Sequence, residues 1–132
     1  MGLTAPLHLW GLAMLTHNSV WFEKRAMLWI TVLMTGIIVL HVLESTLYAA
    51  GYWIGLTYLD IGGFERMADI NFMNVLYYSI VTYSSLGLGD AYPTGHLKFM
   101  TGIQALNGFL AISCSASVMF VWMRDYLPQI RR

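Results

Sequence analysis

Two stretches of this 132-residue chain are apolar for long enough to cross a lipid bilayer, and that limits what it can become. The hydrocarbon core takes about 20 mainly apolar residues of helix to span. Residues 26–50 and 99–123 meet that requirement. The first carries no charge as far as Leu40, and then contains His41 and Glu44. The second has no charged residue, and Gln104 and Asn107 are its most polar side chains. Composition agrees: 58% of residues are hydrophobic and 11% charged, where a soluble domain carries about 25% charged. One domain is expected at this length. A formal net charge of zero argues against a nucleic-acid partner. The single cysteine, Cys114, cannot build a disulfide framework or a cysteine metal cluster within one chain.

Between the spans lies a third apolar segment, residues 72–83. Runs of about 10–14 residues are too short to cross and read as re-entrant, interfacial or buried. Asp69 or Asn71 stands where an N-cap would satisfy the first free amides. The segment ends at Ser84-Ser85, before a Gly-x-Gly that cannot easily continue a helix. Lys24 and Arg25 precede the first span, and Arg124, Arg131 and Arg132 follow the second. Asp60, Glu65, Asp69 and Asp90 lie in the connector, where Arg66 and Lys98 are the basic residues. The placement of lysine and arginine therefore predicts cytoplasmic termini and an outward-facing connector. Residues 1–22 leave three readings open: an interfacial helix with Trp10, Trp21 and Phe22 at headgroup depth, a disordered tail, or a contact with another subunit.

The segment from Tyr77 to Pro93 carries the chemistry. A short helix entering the membrane and ending in Gly-x-Gly puts irregular backbone at membrane depth. Such backbone is tolerated only when buried in protein or lining a wet cavity. Glycine at alternate positions accepts positive φ and lets successive carbonyls face one way. Carbonyls aimed at a shared axis can replace the water around a cation. The C-terminal end of the short helix, with about half a negative charge, favours a cation beneath it.

Ser85-Leu86-Gly87-Leu88-Gly89-Asp90 resembles the filter of two-transmembrane potassium channels, which usually reads Thr-Val-Gly-Tyr-Gly-Asp. The likeness covers about residues 26–123 and is strongest over 74–93. It implies an all-α membrane protein: two transmembrane helices with a re-entrant pore helix and a selectivity-filter loop, assembled as a homotetramer. The implied parts are a cytoplasmic N-terminal segment (1–25) and a pore domain (26–124), then a cytoplasmic tail (125–132). Within the pore domain they are an outer helix near 26–50, a pore helix near 71–84, the filter at 85–90 and an inner helix near 97–123. K+ would bind at Ser85, Leu86, Gly87 and Leu88, with Gly89 completing the filter and Asp90 ringing the outer mouth. Tyr77, Tyr78, Thr82 and Ser84 would support it from the pore helix. Gly108 falls near a hinge glycine of related inner helices. Phe109, Ile112, Ala116 and Phe120 fit one helical face and are the candidate pore lining.

Leu88 stands where tyrosine is usual and Ser85 where threonine is usual. Leucine brings no hydroxyl to hold the filter wall, so a weakly selective cation pore passing Na+ stays open beside the potassium reading. A non-conducting subunit that keeps the pore fold also stays open. His41-Val42-Leu43-Glu44 is similar to a His-x-x-Glu feature of small bacterial channel-like proteins. At i, i+3 the two side chains share a face. They read as a structural hydrogen-bonded pair near the outer headgroups or as a pH-sensitive brace contacting the pore helix or the filter's outer mouth. Two ligands do not complete a metal site within one chain. Nothing points to an enzyme or to a cofactor beyond bound K+. A plasma (inner) membrane location is implied. There is no arginine ladder for voltage sensing, so pH, membrane tension or a regulatory subunit are the candidate triggers.

Overall fold

The computed structural model describes residues 2–17 and 26–130. Lys24, Arg25, Arg131 and Arg132, on which the orientation rests, lie outside the described residues, as do Trp21, Phe22 and the side chain of Tyr126. The elements are α1 (Thr4–Thr16), α2 (Ala26–Thr57), β1 (Phe64–Glu65), α3 (Phe72–Tyr83), β2 (Tyr92–Pro93) and α4 (Leu97–Ile130). The two long helices α2 and α4 run beyond the expected 26–50 and 97–123, and the short helix α3 lies inside the expected 71–84.

Both long helices are apolar on the outside. Ile38, Leu43 and Leu47 on α2 and Phe99, Leu106 and Leu110 on α4 are exposed. Their buried stripes hold polar groups: Glu44, Ser45, Gln104, Asn107 and Ser115. Polar side chains turned inward beneath an apolar exterior are what a bilayer selects. Two membrane-spanning helices, at 27–57 and 97–125 by length and composition, thus frame an all-α membrane protein.

Residues 4–16, for which three readings stood open, form helix α1. Helix α1 packs lengthwise and antiparallel on α2, with His8 on Glu44, Gly11 on Leu40 and Leu15 on Gly36. Those partners lie in the middle of α2. The cause is local. Helix α1 has no charged residue, its outer face shows Leu9, Trp10 and Met14, and two glycines let the helices approach closely.

Helix α3 wedges between α2 and α4. Asn71 is its N-cap, its side chain accepting from the Asn74 amide at 2.9 Å, while the Asn74 side chain donates to the Asp69 carbonyl at 2.7 Å. One buried network holds its middle. The Ser79 hydroxyl donates to the Ser45 carbonyl at 2.6 Å. The Gln104 amide donates to the Ser79 carbonyl and hydroxyl at 2.9 and 2.6 Å. Tyr52 donates to Gln104 Oε1 at 2.7 Å. A satisfied buried network fixes one relative placement of the three helices, because losing a partner strands its neighbours. Gln104→Leu, close in volume, is expected to cost about 1–3 kcal/mol, read as a lower thermal midpoint in detergent. An unchanged midpoint would show that packing alone places α3.

Outside the spans, β1 and β2 pair antiparallel, Phe64 with Pro93 and Glu65 with Tyr92. The ladder continues as Thr94 N–H to Gly63 O at 2.8 Å and His96 N–H to Ile61 O at 2.9 Å. This clasp ties the chain before α3 to the chain that follows residue 90. Phe64 packs edge-on against Tyr78 and Tyr52, with ring centroids 4.7 and 5.8 Å away.

Candidate functional site

The segment after α3 is built by an unusual run of backbone angles. Ser85, Gly87 and Gly89 have φ of +56°, +57° and +75°, while Leu86 and Leu88 between them stay negative. In an extended strand successive carbonyls alternate in direction. A left-handed residue at every second position turns alternate peptide planes over, so the carbonyls can share one side. Glycine accepts this at no steric cost.

Ser85 enters the left-handed region for a separate reason. The Leu86 amide donates to the Val81 carbonyl at 3.1 Å and the Ser85 amide to the Thr82 carbonyl at 3.0 Å. These are the two bonds of a Schellman cap, which needs a left-handed residue just past the helix end. The end of α3 and the start of the 85–90 segment are therefore one hydrogen-bonded unit. Serine pays less at this φ than a β-branched residue would.

The expected supports are placed as follows. The Tyr77 hydroxyl donates to Asp90 Oδ2 at 2.7 Å, joining the second turn of α3 to the far end of the segment. Tyr78 is buried, its hydroxyl 3.0 Å from Thr101 Oγ1 on α4. Thr82 is buried in the last turn, and the Ser84 hydroxyl donates to the Val81 carbonyl at 3.1 Å. Residues 84–90 are exposed in the single chain, Leu86 by 64% and Leu88 by 56%.

Gly108 is buried where α4 crosses the end of α3. A Cβ there would run into the Tyr83 carbonyl group. The geometry gives Gly108 a close-approach role, and α4 is continuous through it. Phe109, Ile112, Ala116 and Phe120 are all exposed, on a face of α4 turned away from buried Gln104, Ala111 and Ser115.

Glu44 is 0% exposed, midway along α2. It accepts from the Tyr83 hydroxyl through Oε2, and its Oε1 lies 3.1 Å from His8 Nδ1. His41 Nδ1 is 3.3 Å from the Tyr83 hydroxyl and 3.6 Å from Glu44 Oε2. The pair is thus a contact to Tyr83, the last residue of α3. The sequence reading missed His8 and Tyr83. The available signal was His8 itself, a histidine in a charge-free apolar run, the same argument that singled out His41. His8, His41 and Glu44 bring three metal-capable atoms within 4.8 Å of one another.

Comparison with protein families gives a match to the model described as ion channel, over residues 27–125. No curated protein and no solved structure matches the chain.

Proposed function

The chain belongs to the ion-channel family, and from that premise we propose that it is one subunit of a homotetrameric potassium channel. K+ passes through a filter of backbone carbonyls at Ser85, Leu86, Gly87, Leu88 and Gly89. The observation that carries this reading is the alternation of left-handed residues at 85, 87 and 89, directly capped onto a re-entrant helix. One such strand cannot surround an ion. A closed ring of copies can, and cyclic symmetry supplies one. The exposed leucines Leu86 and Leu88 and the exposed face of Phe109, Ile112, Ala116 and Phe120 give neighbouring subunits apolar surface to cover or a pore to line.

Asp90 ringing the outer mouth attracts cations, and Tyr77 holds it to α3. The basic residues 24, 25, 124, 131 and 132 favour a cytoplasmic side for the α1–α2 connection and for the end of α4, in a plasma (inner) membrane. Purified protein is expected to run as four chains per complex and to release K+ from loaded liposomes. A monomer without flux would favour the non-conducting reading. Leu88, lacking a hydroxyl, favours the weakly selective reading as the second one. Tyr77→Phe is expected to lower the K+ over Na+ permeability ratio about fivefold, for a lost hydrogen bond of about 1 kcal/mol. An unchanged ratio would remove the Tyr77–Asp90 bond from the account of selectivity.

A further inference from the structure

We propose that His8, His41 and Glu44 form a binding site for a divalent transition metal, of which Zn2+ best fits the donors. The proposal goes beyond ion conduction, and its test does not read conduction. Two helices far apart in sequence meet here. His8 comes from α1, and His41 and Glu44 come from α2. Two imidazoles and a carboxylate are a common three-ligand set for zinc, completed by a fourth ligand. Zinc–ligand bonds of about 2.0–2.1 Å put tetrahedral neighbours about 3.4 Å apart. His8 Nδ1 lies 3.1 Å from Glu44 Oε1, and His41 Nδ1 lies 3.6 Å from Glu44 Oε2. These contacts use the two different carboxylate oxygens, and the three candidate donor atoms all lie within 4.8 Å of one another, so an ion would draw them together by a short movement.

Both imidazoles turn Nδ1 to the Glu44 carboxylate; the rings stack with centroids 5.4 Å apart at 24°, so one of them must rotate for both nitrogens to converge on an ion. The Tyr83 hydroxyl donates to Glu44 and lies 3.3 Å from His41 Nδ1, so it would orient the carboxylate while water completes the set. Metal-bound histidines are usually oriented through their second ring nitrogen. Ser115 Oγ lies 3.4 Å from His8 Nε2 and fills that role.

Electrostatics points the same way. Glu44 is fully buried at mid-span and has no lysine or arginine ion pair among the described residues. Its partners are the two imidazoles and the Tyr83 hydroxyl, and a buried carboxylate is costly without a full opposing charge, which a divalent cation would supply. A cavity of about 350 Å³, lined by Thr4, His8, Asn107, Leu110 and Cys114 among others, opens beside His8 and offers a route in. A bound ion would tie α1 and α2 to Tyr83, the last residue of α3 and two before Ser85.

The test uses the full chain in lipid nanodiscs, stripped with chelator and then titrated with Zn2+ or with Co2+ as a spectroscopic probe. About one metal per chain is expected, with Co2+ giving the visible absorption bands of a tetrahedral site. Glu44→Gln and His8→Ala should each abolish those bands, and Ser115→Ala should weaken binding about tenfold. His17→Ala and His96→Ala, the other two histidines, should change nothing. The wild-type protein failing to bind either metal overturns the proposal, whatever the variants do. So does cobalt binding that survives in the His8→Ala, His41→Ala double variant.

Discussion

Gly87→Ala is expected to abolish K+ flux while leaving a folded, assembled protein. The argument has two parts. Gly87 holds φ of +57°, and an L-residue there costs roughly 1–2 kcal/mol, incurred in every copy around the ring. A methyl group at Gly87 would meet nothing within 4 Å inside one subunit, so folding of the single chain has no clash to suffer. The damage falls on the carbonyl alternation and on the shared axis. Complex size should therefore stay near wild type, and the thermal midpoint should fall only by the few degrees that this strain accounts for, while liposome flux disappears. His41→Ala, remote from the filter backbone, should still conduct. Normal flux through Gly87→Ala would show that the left-handed alternation is not the conduction path.

Gly108→Ala should destabilise the protein by about 1–3 kcal/mol, the usual range for overpacking. The group in the way is the Tyr83 backbone, which cannot rotate aside as a side-chain tip would. Gly102 on the same helix is the control. Its Cβ would meet nothing within 4 Å, so Gly102→Ala should gain up to about 1 kcal/mol from helix propensity. The paired melting curves separate two roles. If Gly108 served as a flexible hinge without a packing role, alanine would stabilise α4 there as well. A lowered midpoint for Gly108→Ala beside a raised one for Gly102→Ala supports close approach.

Much of this fold was legible in the sequence because bilayers impose simple rules. Uncharged length marked α2 and α4. Shortness marked α3 as a helix that cannot cross, and Gly87 and Gly89 marked where its successor must leave helical geometry. Asn71 was one of two cap candidates, and the Asn74 amide chose it. The site was less legible where it depends on tertiary register. Nothing local in residues 4–16 says that His8 will face Glu44, because that pairing is set by two glycines meeting Leu40 and Leu15. For the same reason the choice between a structural pair and a brace on the pore helix stayed open for His41 and Glu44, whose partner is Tyr83. Ser85 illustrates a third case. Its left-handed φ comes from a cap formed with Val81 and Thr82, which side-chain type alone does not announce.

The most direct test of the potassium-channel reading is the reversal potential of single-channel or bulk current through the reconstituted protein. The membrane would separate KCl from NaCl, with K+ differing about tenfold across it. A potassium-selective filter predicts a reversal near the K+ equilibrium potential, about 59 mV per tenfold gradient of a monovalent ion. A reversal near zero would contradict potassium selectivity at Ser85–Gly89.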